Sequence, residues 1–175
     1  MTGQEMVIWI ESEPRASARA VPFIGQKMTA DGGTRPYVAF RTDKGAGGTI
    51  AAWRRRVIGE ARIAMAAFEW ATVPAGVPVL VDVDWIFKRP GVPPTLQPRT
   101  QKPDRDNLDK AILDPLTRAG VWHDDCQPFA GDIAKWDHPQ FAGARVYLLS
   151  GDLAVDRLEE RRKFLESLIA PRLKF

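Results

Sequence analysis

Cysteine occurs once, at Cys126. No intramolecular disulfide can form, and a Cys-rich zinc site is excluded; a reducing cytosol suits such a chain. No apolar run approaches the roughly 18 residues of a membrane-spanning helix. No basic stretch followed by an apolar one stands near Met1, so no signal peptide is expected and the expected location is cytoplasmic. An excess of either sign of charge is lacking as well. Lys and Arg number 25 against 22 Asp and Glu, a net charge of +3, too small an excess to identify a nucleic-acid binder by itself. The glycine-rich stretch Lys44–Gly48 lacks the spacing and the Lys-Ser/Thr ending of a P-loop. No internal repeat is present. What the chain has is apolar material, 45% of 175 residues, enough for a sizeable core, and a single domain over residues 1–175 is expected.

Hydrophobic periodicity outlines the elements. Met6–Ile10 reads as a first strand and Glu11–Ala20 as a polar loop or arm. Phe23–Thr29 and Tyr37–Arg41 read as a hairpin about Asp31-Gly32-Gly33, with Pro22 and Pro36 marking edge strands. Thr49 is placed as the N-cap of a helix from Ile50 to about Ala71. Trp53, Val57, Ala61, Ala64, Met65 and Phe68 share its apolar face. After a turn over Pro74–Pro78, Val79–Phe87 alternates strictly. Val79, Val81, Val83 and Trp85 fall on one face, and Leu80, Asp82, Asp84 and Ile86 on the other. Asn107–Ala119 reads as a second helix, capped by Asp106 and ended by Gly120, with Pro115 predicting a break or kink. Val121–Asp125 reads as an extended exit. Ala130–Trp136 and Ala144–Ser150 read as a closing strand pair, followed by an amphipathic C-terminal helix over 153–169.

The chemistry concentrates between Pro103 and Gln127. Asp104 and Asp106 stand at spacing two, Lys110 follows one turn later, and Asp124 and Asp125 form a second acidic pair. Carboxylate oxygens are the usual ligands of Mg²⁺, an ion able to activate water and to stabilise the leaving oxygen of a phosphodiester. A lysine beside such carboxylates can stabilise the charge that develops on phosphorus. The pattern points to metal-dependent cleavage of a nucleic-acid backbone. Distance sets a condition. A helix of about 13 residues spans roughly 20 Å, and six extended steps beyond it cover about 20 Å. Asp125 reaches Asp104 and Asp106 only if the exit doubles straight back along the helix; otherwise a second chain completes the set.

Each residue also has an ordinary reading. Asp106 caps a helix, Asp104 sits in a turn, Asp124 and Asp125 form a solvated turn, and Lys110 pairs with Asp106 or Asp114 at i, i+4. Asp82 and Asp84 rival the later pairs for a metal, but a solvated sheet face or pairing with arginines is the simpler job. Together the ordinary readings explain less, since Asp104 has no capping role if Asp106 has one. Two basic stretches accompany the acids. Arg54, Arg55 and Arg56 read either as a solvated helix face or as a set of phosphate contacts; in the first turns they oppose the helix dipole, which favours an external anion as their partner. Lys88–Lys102 carries four prolines, one glycine, four cations and no acid. It reads as a mobile loop placed to draw a polyanion toward the acidic motif.

Asp104-Arg105-Asp106-Asn107-Leu108-Asp109-Lys110, then a helix with an inner Asp114, then Asp124-Asp125-Cys126-Gln127, resembles the signature of RusA-type Holliday-junction resolvases: Asp-x-Asp-Asn-x-x-Lys followed by Asp-Asp-x-Gln. The resemblance implies an α/β (mixed α+β) fold, a small mixed β-sheet flanked by two to three helices. It implies a homodimeric crossover junction endodeoxyribonuclease of recombination and repair, often phage-encoded, that nicks four-way junction DNA symmetrically with Mg²⁺, or Mn²⁺. Asp104, Asp106 and Asp125 would be the catalytic metal-binding carboxylates, with Asp124 beside them, Lys110 the essential lysine and Asn107 a group orienting a carboxylate. His123 is a departure from the pattern. Phosphate contacts are expected from Arg54, Arg55, Arg56, Lys88, Arg89, Arg99, Lys102 and Arg105. The competing readings are another metal-dependent nuclease or nucleotide phosphohydrolase, and an inactive junction-binding protein.

Overall fold

A computed structural model describes residues 3–15, 21–28, 34–41, 47–159 and 161–163. The architecture is mixed α+β. Its centre is β4 (Val79–Lys88), the longest strand, ten residues. On one side β4 pairs antiparallel with β8 (Gly143–Ser150), which pairs in turn with the edge strand β1 (Glu5–Ile10). On the other side it pairs in parallel with β6 (Pro128–Ala130) and β7 (Ile133–His138). A short strand, β5 (Gln97–Pro98), closes the far edge against β7. The order is β1-β8-β4-β7-β5.

The two last strands are therefore not a pair. β4 lies between them, and the link from His138 to Gly143 crosses its end. Periodicity finds strands but not partners, because any strand with one apolar face fits beside any other. β2 (Val21–Met28) and β3 (Thr34–Arg41) form the expected hairpin as a separate two-stranded sheet. Its connection lies outside the described residues.

Helices α1 (Gly47–Ala67) and α2 (Arg105–Ala119) cover one sheet face. Met6, Ile8, Ile10, Val81, Val83, Trp85, Val146 and Leu148 meet Trp53, Val57, Ala61, Leu108, Ile112 and Leu116 in a single core. Each large apolar side chain buried this way contributes about 1.5–3 kcal/mol. Trp53 and Trp85 lie 5.5 Å apart, ring centre to ring centre. Thr49 lies inside α1, not at its cap, since helix ends are set only to within about two residues by local signals. The helix stops at Ala67, and Phe68 falls out of its face, 51% exposed. The chain turns through Glu69 at φ 53° and seats Trp70 in the core, where its Nε1 donates to the Val121 carbonyl at 3.0 Å.

α2 is continuous through Pro115 to Ala119, and Gly120, at φ 88°, ends it as expected. Where one helix over 153–169 is expected, α3 (Gly151–Asp156), with Ser150 at its N-cap, ends in a turn at Arg157 and Leu158; residues 160 and 164–175 lie outside the described residues. Among the described residues no helix is long and apolar enough to cross a membrane.

Candidate active site

The segment leading into α2 is held, not loose. β5 pairs with β7, the Arg99 backbone N–H donates to the Lys135 carbonyl at 2.9 Å, and Lys135 Nζ reaches the carbonyls of Gln101 and Pro103 at 2.9 and 3.0 Å. The second half of the proline-rich basic stretch thus forms strand and clamp where sequence reading expects a mobile loop. Its prolines block a helix but not a short edge pairing.

Asp104, not Asp106, occupies the N-cap position of α2, with extended backbone (φ −70°, ψ 150°). Arg105 is already helical, which moves Asp106 into the first turn. The Asp104 side chain makes no capping hydrogen bond. A capping hydrogen bond therefore does not account for Asp104. Asp104, Asp106 and Lys110 are all exposed. Lys110 forms no ion pair with the described residues; Asp114, one of its candidate partners, faces Arg54 at 3.6 Å instead. Asn107 is half-buried beside them.

The second acidic pair lies at the other end of α2. Val121 and Trp122 run against Val73, with His123 N–H on the Val73 carbonyl at 3.1 Å. Gln127, buried, then anchors the turn. Its Oε1 accepts from the backbone N–H groups of His123 and Asp124 at 2.9 and 2.8 Å. Its Nε2 donates to the carbonyls of Pro74 and Val77 at 2.8 and 3.0 Å. This is the glutamine of Asp-Asp-x-Gln, and its structural task is not visible from spacing alone. Asp124 Oδ1 accepts from Cys126 N–H at 3.0 Å. That bond first, then the Cys126 thiol, holds the Asp124 carboxyl below the usual aspartate range. Asp125 is exposed beside it.

The exit from α2 thus bends toward the start of β4 and does not double back along the helix. Lys135, which holds the approach to Asp104, sits opposite Trp85; Gln127 sits at Val79. Those two levels on β4 are roughly 20 Å apart at about 3.3 Å per residue. Among the described residues no three His, Cys, Asp or Glu groups come together to hold an ion. Exposed carboxylates are the right donors for a hard divalent cation. One chain, however, offers them as two separate pairs.

Asp109, not considered from sequence, faces a cleft of about 200 Å³ between α2 and β6, lined by Val81, Leu113, Phe129 and Gly131. Its Oδ1 is buried without a hydrogen-bond partner among the described residues. Burial raises its pKa, Arg105 opposes the rise and Asp106 adds to it. Gly131, at φ 152°, crosses β4 so closely that a Cβ would fall 1.8 Å from the Val81 carbonyl oxygen. Asp82 and Asp84 are engaged elsewhere: Asp82 accepts from Asp132 N–H at 2.7 Å, and Asp84 binds Arg145 at 2.6 Å and the Trp136 indole at 3.0 Å. Of the basic residues, Arg54 pairs with Asp114, Arg56 with Glu60, and both Arg89 and Arg99 with Asp137. Arg55, Lys88, Lys102 and Arg105 are exposed.

Residues 33–147 match the family model described as endodeoxyribonuclease RusA, well over half of the chain and the whole of the acidic motif. The chain belongs to the RusA endodeoxyribonuclease family. In this RusA-family nuclease the matched span covers β4, α2 and both acidic pairs and stops before α3. No curated protein matches the chain. Membership of the family implies endonuclease activity on Holliday junctions, and the signature residues bracket α2.

Proposed function

We propose that this protein resolves four-way DNA junctions in recombination and repair by symmetric paired nicks, as a homodimer that depends on Mg²⁺ or Mn²⁺. The observation that carries the reading is the placement of the two acidic pairs at opposite ends of α2, each exposed and neither sufficient alone. In this reading Asp104 and Asp106 of one copy and Asp125, with Asp124, of the other hold the ion. A two-fold axis then yields two equivalent sites, as paired nicking requires. When bound, the ion supplies activation of water and stabilisation of the leaving oxygen. Lys110, one turn beyond Asp106, is placed to meet the negative charge that builds on the phosphate. Asn107 orients a neighbouring carboxylate. Arg55, Lys88, Lys102 and Arg105 bind flanking phosphates, which serve shape recognition more than base reading. The fold acts as one nuclease domain.

The test is nicking of a synthetic junction against linear duplex, with Mg²⁺ or chelator, by Asp104→Asn, by Asp125→Asn and by the two variants mixed. Each variant alone is expected to be inactive. In mixed dimers one site is rebuilt from two wild-type halves, so nicking of one strand returns. Persistent inactivity of verified heterodimers would place the site within one chain. Equal cutting of duplex would identify a general nuclease, and binding without cutting an inactive junction-binding protein.

A further inference from the structure

Asp137 on β7 is the one ionisable side chain that is fully buried among the described residues, 1% exposed. Both of its oxygens are taken. Arg99 Nη1 lies 2.6 Å from Oδ1 and Arg89 Nη1 lies 3.0 Å from Oδ2. The Arg99 guanidinium, 15% exposed, stacks over Phe87 at 4.4 Å. Its remaining donors, Nε and Nη2, reach the Lys102 carbonyl at 3.1 and 2.6 Å. Lys135, two residues before Asp137 on the same strand face, holds the carbonyls of Gln101 and Pro103. Three consecutive carbonyls, those of Gln101, Lys102 and Pro103, are therefore each gripped by a cation that β7 carries or anchors. The next residue is Asp104.

A buried ion pair is a weak source of stability, because removing the charges from water costs nearly what their attraction returns. Its better-attested use is to specify one geometry, and a fork-shaped guanidinium serves that purpose well. Here the geometry specified is the backbone that delivers a carboxylate to the site. We infer that Asp137, Arg99 and Lys135 are positioning residues: they lock the three carbonyls before Asp104 and so aim its carboxylate at the divalent ion. The inference rests on the proposed role of Asp104. It also turns Arg99 away from the phosphate-binding role suggested by its place in a basic stretch.

The test is the Mg²⁺ concentration giving half-maximal junction nicking in Lys135→Met and Arg99→Lys. The first keeps the length of the side chain and loses its donors. The second keeps a cation for Asp137 and loses the fork. Both are expected to raise that concentration about tenfold, the scale seen when the supports of metal ligands are removed. Lys135→Arg is expected to recover most of the loss. Junction binding without metal, and its salt dependence, are expected to match wild type. An unchanged Mg²⁺ requirement with a lower melting temperature would reduce the cluster to a fold staple and overturn the inference. A flatter salt dependence would make these residues DNA contacts and overturn it too. Asp104→Asn separates the two levels: if it nicks normally, the site reading itself fails, whereas if it is inactive and both clamp variants keep the wild-type Mg²⁺ curve, the clamp alone fails.

Discussion

The Trp53 indole Nε1 donates to the backbone carbonyl of Ala111 at 3.1 Å, from one helix to the other. Ala111 is the residue four before Pro115, so its carbonyl is the one the proline leaves without a helical N–H. The indole supplies the missing donor, and α2 runs on unbroken to Ala119. Trp53→Phe removes that donor while keeping an aromatic ring in the core. It is expected to cost about 1–3 kcal/mol, the penalty of a buried unsatisfied acceptor. The check is the urea midpoint at unchanged slope. Introducing Pro115→Ala restores a backbone N–H, so the cost of Trp53→Phe is expected to shrink in that background. Equal costs in both backgrounds would show that the indole bond does not compensate the proline.

Gln127 ties the second acidic pair to the segment before β4 through four backbone groups. Gln127→Met keeps the volume and removes every one of those bonds. Junction nicking is expected to fall at least about tenfold, because small misplacements of positioned groups are costly. Rates measured well below the melting temperature of the variant separate this from unfolding.

Asp109 carries a pKa raised first by burial, against Arg105 and with Asp106. A raised carboxyl contributes stability that is fully present below its unfolded value and is lost as pH rises through its folded value. Asp109→Asn has no such loss. The variant is therefore expected to gain on wild type between pH 4 and pH 7, and the difference in melting temperature across that range checks it. A constant difference would mean that Asp109 ionises freely.

Asp137 has the opposite sign. Burial pushes its carboxyl up, but hydrogen bonds from Arg99 and Arg89 outweigh it and hold the pKa below the usual range. Its contribution is present above the unfolded aspartate value and is lost as pH falls through the folded one. Asp137→Asn leaves two arginines without their counter-charge and is expected to destabilise by about 3 kcal/mol at neutral pH. The gap to wild type is expected to narrow in acid, which denaturation at pH 7 and below pH 4 reads directly.

Lys88 and Lys102 are exposed and form no ion pair with the described residues, whereas Arg56 is paired with Glu60. Neutralising either lysine is expected to lower the salt slope of junction binding by roughly 0.9 for each phosphate left without its cation. Arg56→Ala is expected to change it less. Titrations at several salt concentrations decide between them.

By itself the sequence determined the main elements and the family. Strict alternation identified β4, apolar spacing identified α1 and α2, and the spacing of Asp104, Asp106, Lys110, Asp124 and Asp125 carried the family signature. Those features are local, set by side-chain period, turn residues and motif spacing. Tertiary structure decided what local pattern cannot express. It placed β4 between β7 and β8, which two apolar-faced strands do not reveal. It kept α2 whole because a tryptophan 58 positions away answers a proline-freed carbonyl. It held the proline-rich basic stretch in place through Asp137 and Lys135, whose importance appears only once β7 lies beside β5. Above all it bent the exit from α2 toward β4. Chain length alone permitted the acidic pairs to meet, but the sheet register holds them apart.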